Sequence, residues 1–202
     1  MSVLAELNEE MTFLVDKVKA SLVEVRDGHG GGAAGTVWHP DGLVVTNAHI
    51  IGRGSRASVT LPDGRRCRTS VLAVDRERDL AALSIEAGGL RPIALGDSRA
   101  LRPGQFVMAL GHPWGVKGVA TAGVIMAAAP EYLRISYGQD LVAVNVPLRP
   151  GNSGGPLVDV DGRLVGINTM MTGRDTGLAI PVHVAKAFLR EALGRRSAAR
   201  VA

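Results

Sequence analysis

The chain has 202 residues, of which 26 are glycine and only 3% are aromatic, and a formal net charge of +4 from 23 basic and 19 acidic residues. This length is sufficient for a substantial core in one domain. The charges of both signs are interspersed without interleaved aromatic residues, which excludes a typical nucleic-acid-binding surface. A single cysteine excludes an intrachain disulfide. No secretory signal or membrane-spanning stretch is recognisable, so the sequence predicts a cytoplasmic protein, or an extracytoplasmic one if a signal was removed.

The first 20 residues predict an amphipathic helix. Apolar side chains recur there at helical spacing, with Glu and Lys residues on the opposite side: Leu4, Leu7, Met11, Leu14, Val15 and Val18. An isolated helix of this length is marginal in water, so its apolar face must pack on the rest of the chain or on a neighbouring subunit.

Short apolar runs separated by turn signals occupy most of the remaining chain. Runs at 57–61, 71–74 and 106–110 alternate with Gly-containing turn sequences, and this pattern predicts antiparallel β-structure. A boundary between two halves falls near residues 96–104. After Pro181, apolar residues at helical spacing predict a second helix over about residues 182–193, ended by Gly194.

Residues 151–156 have the sequence GNSGGP, which suits a serine nucleophile. A serine hydroxyl is a weak nucleophile at neutral pH, so it needs an exposed turn, a base and backbone N–H groups that receive the oxyanion. The amides of Gly151 and Ser153 are placed to supply those two donors. Taken alone, the hexapeptide could also be an ordinary Gly/Asn/Pro turn.

The candidate base is His49, at the end of the apolar run 43–48. The candidate orienting acid is Asp79, which immediately precedes another apolar run. Asp75 is an alternative, but Arg76 and Arg78 beside it suggest a solvated loop. The order His, Asp, Ser is that of the chymotrypsin-type proteases.

The other histidines are weaker candidates, and structural or solvated positions are the default interpretation for His29, His39, His112 and His183. No pair of them, and no combination with Cys or Asp, has the spacing of metal ligands. The sequence therefore predicts no metal site.

Several segments of the chain, in the same order, resemble the trypsin-like serine proteases of the HtrA/Deg type. They are 40–49, 79–81, 95–98, 109–115, 121–125, 151–157, 166–169 and 179–181. The resemblance covers the protease domain, from about residue 22 to about residue 189, without the C-terminal PDZ domain that family members usually add.

The resemblance implies an all-β chymotrypsin fold of two antiparallel six-stranded barrels, with N- and C-terminal helices. After the N-terminal segment 1–20, the protease domain would comprise residues 21–202. Its first barrel, at about 21–96, would supply His49 and Asp79. The second barrel, at about 104–181, would supply Ser153, with the active site in the cleft between the barrels.

The function implied is that of a serine endopeptidase that cleaves unfolded or damaged proteins through an acyl-enzyme, without a cofactor. Ser153 would attack, His49 would transfer the proton, and Asp79 would orient the imidazole. The alternative is a catalytically idle, chaperone-like or peptide-binding member of the same fold, which holds extended polypeptide by strand addition.

The resemblance also implies a substrate pocket and an assembly. The pocket residues would be Pro147, Leu148, Asn168, Thr169 and Met170. The chain departs from the family pattern at Asn145, where an aspartate is usual, and at Arg149, where an asparagine is usual. These departures affect the activation loop and the pocket rim, and with them substrate preference and resting activity. Family members often form trimers through segments before the first barrel, so residues 1–20 are the expected contact of a homo-oligomer.

Overall fold

The computed structural model describes residues 2–27, 32–52, 57–172 and 175–199. The predicted N-terminal helix, α1, spans Val3–Lys19. Ser2 caps its first turn by accepting a hydrogen bond from the Ala5 amide. Only Leu14 and Val18 of α1 are buried, and the Lys17 ammonium donates to the Asp161 carbonyl at 3.0 Å. The C-terminal part of α1 therefore packs on the second half of the chain.

The first half of the chain forms one antiparallel sheet of seven strands. Its order is β5-β4-β1-β2-β3-β7-β6. The strands are β1 (Leu22–Arg26), β2 (Gly32–His39), β3 (Leu43–Thr46), β4 (Ser58–Thr60), β5 (Arg66–Cys67), β6 (Thr69–Asp75) and β7 (Leu80–Ile85).

This first sheet corrects the prediction of a six-stranded barrel, because it is an open, half-barrel sheet. Its two edge strands, β5 and β6, are consecutive in the chain and are separated only by Arg68. A connection of one residue is too short for a hairpin, whose shortest common loop has two residues. The edges therefore do not pair, and the sheet stays unclosed.

The second half forms a closed barrel of six strands in the order β10-β13-β12-β11-β8-β9, as predicted. The strands are β8 (Phe106–Gly111), β9 (Val119–Ala128), β10 (Val142–Val144), β11 (Pro156–Val158), β12 (Leu164–Thr172) and β13 (Thr176–Pro181). The barrel interior is filled by aliphatic side chains, among them Val107, Ile125, Leu157 and Val165. The loop between β10 and β11 carries the first five residues of the GNSGGP sequence, and its proline, Pro156, begins β11.

The helices differ from the prediction in two respects. A short helix, α2 (Glu131–Tyr137), was not predicted; it begins after Pro130 and ends at Gly138, whose φ is 71°. The C-terminal helix, α3, spans Val182–Ala199 and so continues past Gly194. A glycine within a helix is unfavourable by only about 1 kcal/mol relative to alanine, so it does not have to end one.

Helix α3 contacts strands of both halves and packs its buried face, including Ala185, Phe188 and Leu189, into the core. Among the described residues, no helix combines the length and the apolar composition that crossing a membrane requires.

Candidate active site

His49 and Asp79 are brought together by the pairing of β3 with β7. His49 lies in a single 3-10 turn (Ala48–Ile50) directly after β3, and Asp79 immediately precedes β7. Within this antiparallel pair, Thr46 is opposite Ala81. The end of one strand is therefore beside the beginning of the other, and both side chains stand at the same edge.

The imidazole of His49 is held by the carboxylate of Asp79. The Nδ1 atom lies 2.9 Å from both carboxylate oxygens, and the His49 amide donates to Oδ1 at 3.0 Å. The Thr169 hydroxyl donates to Oδ2 at 2.6 Å. With Nδ1 engaged as the donor, Nε2 is left as the proton acceptor. The His49 side chain is 46% exposed, so this nitrogen is within reach of a substrate.

Two opposing effects act on the pKa of Asp79. Burial raises it, but the hydrogen bonds from His49 and Thr169 together outweigh burial and hold the pKa below its ordinary value. The carboxylate is therefore ionised at neutral pH, as an imidazole-orienting group must be. The alternative acid, Asp75, instead accepts the amides of Glu77 and Arg78 within its own turn.

Ser153 approaches this pair from the second half of the chain. Strand β2 fixes its turn, because the Ala34 amide donates to the Ser153 carbonyl at 2.9 Å and the Thr36 hydroxyl donates to the Gly154 carbonyl at 3.2 Å. The Ser153 hydroxyl donates to the Thr169 carbonyl at 2.8 Å. Thr169 thus contacts Asp79 through its side chain and Ser153 through its backbone.

The serine side chain is not in the attacking orientation. A hydroxyl has one proton, and that of Ser153 is donated to Thr169 rather than to His49 Nε2. The Ser153 hydroxyl must therefore release the Thr169 carbonyl before the histidine can accept its proton.

The backbone before Ser153 forms a turn that matches type II. The Asn152 amide donates to the Arg149 carbonyl at 2.9 Å, Pro150 follows Arg149, and Gly151 has a φ of 106°. Within the described part of the chain, the amides of Gly151 and Ser153 have no hydrogen-bond acceptor. Both are therefore available to a developing oxyanion.

Glycine is required at position 151 for two independent reasons. The positive φ is strained for any residue with a Cβ. In addition, an added Cβ would overlap with the carbonyl group of His112, whose amide donates to the Gly151 carbonyl at 2.9 Å. The backbone of His112 therefore fixes the position of Gly151.

Replacing Gly151 with alanine is expected to lower kcat by about 100-fold or more, because the turn must shift and the position 151 amide moves away from the oxyanion. Steady-state kinetics on a peptide substrate measure the effect. Gly104→Ala is the matched control: its φ is 88°, yet no atom lies within 4 Å of an added Cβ. Wild-type kcat in Gly151→Ala would contradict the proposed role of this amide.

The residues of the expected substrate pocket do not share one environment. Leu148 packs in the core of the second barrel, and the Asn168 amide donates to the carbonyls of Leu110 and Pro156. Pro147 and Met170 are exposed, and the buried Thr169 contacts Asp79.

The two departures from the family pattern make local contacts. Asn145 accepts the Val124 amide at 2.9 Å through its side-chain oxygen, which joins its loop to β9. The Arg149 amide donates to the Asn152 side chain at 3.2 Å, while its guanidinium bonds only to the neighbouring Leu148 carbonyl among described residues. Of the two, only Arg149 contacts the turn that carries Ser153.

The remaining histidines lie away from the Asp79–His49 pair. His39 is exposed beside Asp41, and His183 bonds to the Ser98 hydroxyl. His112 is buried and accepts the Gly118 amide through Nδ1; burial lowers its pKa, against the opposing influence of the Val23 backbone and of Glu24. His29 lies outside the described residues. Within the described ranges, His, Cys, Asp and Glu side chains form no group of three or more that could bind a metal ion.

Two functional contacts escaped the sequence analysis. Thr169 was expected only in the pocket, but it also joins Asp79 to Ser153. Asn47 is fully buried, and its side-chain amide donates to the Asp79 carbonyl at 3.0 Å. A polar residue at the end of an apolar strand, directly before the histidine turn, was the available signal for Asn47.

The geometry agrees with comparisons with known proteins. The model of the trypsin-like peptidase domain matches residues 33–167. The chain belongs to the trypsin-like peptidase family. It is 36% identical over 138 residues to a probable periplasmic serine endoprotease DegP-like of Chlamydia pneumoniae, covering 68% of this chain and 28% of that protein. It is 32% identical over 198 residues to the serine protease HTRA1 of Xenopus laevis, covering 91% of this chain and 43% of that protein.

A solved structure, the HtrA-type protease AlgW with tripeptide, superposes with a TM-score of 0.81 at 30% identity and covers 88% of this chain and 61% of that one. The fold is thus chymotrypsin-like, and the chain is similar to the HtrA/DegP group within the family. It spans less than half the length of the two curated relatives.

Proposed function

We propose that the protein is a serine endopeptidase of the HtrA type. The observation that carries this proposal is the position of Thr169, which bonds to the Asp79 carboxylate at 2.6 Å and to the Ser153 hydroxyl at 2.8 Å. Through this residue the acid–imidazole pair of the first sheet and the serine turn of the second barrel are parts of one site.

In the proposed reaction, Ser153 first rotates away from the Thr169 carbonyl and donates its hydrogen bond to His49 Nε2. The serine oxygen then attacks the scissile carbonyl while His49 takes its proton, and Asp79 stabilises the resulting imidazolium. The negative charge on the carbonyl oxygen is received by the amides of Gly151 and Ser153. The imidazolium returns the proton to the leaving amine, and water hydrolyses the acyl-enzyme by the same steps in reverse order.

Labelling with a fluorophosphonate tests the proposal directly. The probe forms a covalent bond with a serine that a neighbouring base activates, so the folded protein is expected to carry one probe on Ser153, located by peptide mass spectrometry. His49→Ala is expected to prevent labelling, and heat-denatured protein is the control for non-specific reaction. Folded wild-type protein that takes up no probe would refute an active serine hydrolase.

Unfolded or damaged polypeptides are the proposed substrates, in protein quality control. This rests on similarity to relatives that are named serine endoproteases of the DegP and HTRA groups. The alternative, an idle peptide-binding member, is not favoured, because the residues of the nucleophile, base and acid are all present. Casein, which is natively unfolded, should be degraded, whereas a folded protein of similar size should not.

The proposed specificity is for small to medium aliphatic side chains on the acyl side of the cleaved bond. Pro147, six residues before the serine, stands where trypsin places an acid, so a buried Arg or Lys side chain would lack a counter-charge. Met170 and the backbone of Thr169 would provide further parts of the wall. Cleavage-site profiling of a denatured protein measures this preference, and a majority of cuts after basic residues would contradict it.

A homo-oligomer, such as a trimer, with contacts through residues 1–20 is part of the proposal. Leu4, Leu7 and Phe13 of α1 are between 52% and 71% exposed, although they are apolar. Leu7 and Met11 also line a groove of about 410 Å³ together with Phe106 and Val160 of the second half. Exposed apolar surface of this kind is typical of an interface.

Light scattering tests the assembly. The full chain is expected to exceed the monomer mass at micromolar concentration, and deletion of residues 1–20 is expected to return it to a monomer. A full-length monomer, or an oligomer that survives the deletion, would each contradict the contact. Glu9→Ala, on the exposed part of the same helix, controls for changes outside the apolar surface.

The domain limits and the location complete the proposal. The two halves, about residues 21–96 and 104–181, form one protease domain, because α3 contacts strands of both.

An extracytoplasmic location is favoured over the cytoplasmic one that the sequence predicted, since the Chlamydia pneumoniae relative is named as periplasmic. Cell fractionation with an antibody against the protein distinguishes the two locations.

A further inference from the structure

The backbone of Asp79 has an unusual conformation. Its φ is 52°, in the left-handed region that residues with a Cβ seldom adopt. Such a conformation is unfavourable and persists only where its surroundings impose it, often at functional sites. Asp79 ends the turn between β6 and β7, so the direction of its side chain depends on how this turn is held.

Neighbouring groups fix the turn before Asp79. The Asp75 carboxylate accepts the amides of Glu77 and Arg78, at 3.1 and 2.9 Å. The Arg78 guanidinium makes two hydrogen bonds, of 2.8 and 3.3 Å, with the Glu191 carboxylate on α3. These contacts hold residues 75–78, but none of them determines the orientation of the Asp79 peptide group.

Asn47 supplies a contact to that peptide group. Its side-chain Nδ2 donates to the Asp79 carbonyl at 3.0 Å, and the residue has no exposed surface. The His49 amide, two residues further along the chain, donates to the Asp79 carboxylate at 3.0 Å. One short segment thus holds Asp79 at two points, its carbonyl and its carboxylate.

The hydrogen-bonding capacity of the asparagine is only partly used. Its side-chain oxygen is buried and has no hydrogen-bond partner among the described residues. An unpartnered buried oxygen is unfavourable, and an apolar side chain of the same size would avoid it. The feature that an apolar residue could not provide is the Nδ2 donor to Asp79.

We propose that Asn47 is a positioning residue, which holds Asp79 in its left-handed conformation and thereby aims the carboxylate at His49 Nδ1. This inference rests on the proposed function, in which Asp79 orients the catalytic imidazole. Without the Nδ2 donor, the peptide group of Asp79 rotates towards an unstrained conformation and its carboxylate moves relative to the imidazole.

Asn47→Leu tests the inference, since leucine is similar in size and lacks the donor. A displacement of about 1 Å in catalytic geometry can lower turnover about 100-fold. We therefore expect kcat on a peptide substrate to fall about 10- to 100-fold, with little change in KM. We also expect the downfield proton NMR signal of His49 Nδ1–H, which reports its hydrogen bond to Asp79, to move or vanish.

Thr69→Val is the matched control. In this variant the Thr69 side chain no longer donates its 3.1 Å hydrogen bond to the Cys67 carbonyl. That bond lies in the same sheet but away from the site. The variant is expected to retain both kcat and the NMR signal. Asn47→Ala, which also lacks the donor, replaces the leucine variant if that variant does not fold.

Folded Asn47→Leu with wild-type kcat and an unchanged signal would overturn the inference, because the asparagine would then be structural only. Reduced kcat with an unchanged signal would also overturn it, because the effect would not pass through Asp79. The signal does not require Ser153 chemistry. If the wild-type protein is inactive but its His49 Nδ1–H signal still responds to Asn47→Leu, the proposed function is refuted and the positioning role is supported. If the wild-type protein shows no such signal, the positioning role is refuted.

Discussion

Replacement of Ser153 by alanine is expected to abolish peptide hydrolysis while the fold is preserved. In the proposed mechanism the serine oxygen forms the acyl-enzyme bond, and no neighbouring group can substitute for it. Loss of the nucleophile in serine proteases typically lowers turnover by about four to six orders of magnitude. Hydrolysis of casein or of a chromogenic peptide by purified protein measures the effect.

The stability of Ser153→Ala should change little. The hydroxyl makes one hydrogen bond, of 2.8 Å, to the Thr169 carbonyl, and the net contribution of such a bond is about 1 kcal/mol. Circular dichroism and urea denaturation are therefore expected to resemble the wild type. Ser58→Ala, an exposed serine on β4, is the matched control and should retain full activity. Turnover that persisted in Ser153→Ala at equal folding would show that another residue is the nucleophile.

The chemistry of this site was easier to predict from the sequence than the shape of the protein. A glycine-rich turn around Ser153 and a polar corner after an apolar strand at His49 are local patterns. A turn that needs a positive φ at Gly151 restricts the amino acid at that position, whatever the rest of the fold. Local patterns of this kind are visible along the chain, and they pointed to Ser153 and His49.

Features that depend on contacts between distant segments were not predictable in the same way. Closure of the first sheet depends on whether β5 and β6 can pair, and the residues of neither strand indicate which strand is its partner. The role of Thr169 in joining Asp79 to Ser153 arises from the position of β12 next to both. The choice of Asp79 over Asp75 depended on which carboxylate faces His49, and composition only suggested it.

The hydrogen-bond partner of the Ser153 hydroxyl is a further property that the sequence does not specify. The hydroxyl donates to the Thr169 carbonyl. A bond to His49 would replace one hydrogen bond with another, so the two arrangements differ little in energy.

Replacement of Asp79 by asparagine is expected to lower kcat by about four orders of magnitude at neutral pH. The same substitution of the triad aspartate in a chymotrypsin-type protease has an effect of this size. The variant keeps the shape of the side chain but removes its charge. The proton of the neutral imidazole is then no longer held on Nδ1, and a histidine with its proton on Nε2 cannot accept one from Ser153. Asp63→Asn removes an exposed carboxylate that pairs with Arg65 at 2.7 Å, and this matched variant is expected to keep wild-type kcat.

The same substitution has a pH-dependent effect on stability. Burial raises the pKa of Asp79, but the hydrogen bonds from His49 and Thr169 together bring it below the ordinary value of a carboxyl group in the folded state. A carboxyl group with a lowered folded-state pKa contributes stability above its unfolded-state pKa, and the contribution is lost as the pH falls through the folded-state pKa. The difference in unfolding free energy between wild type and Asp79→Asn should therefore be largest near neutral pH and shrink on acidification, as measured by urea denaturation at each pH. A difference that grew on acidification would mean that the carboxyl group is held in its neutral form, and the imidazole would then lack the charge that the proposed mechanism requires.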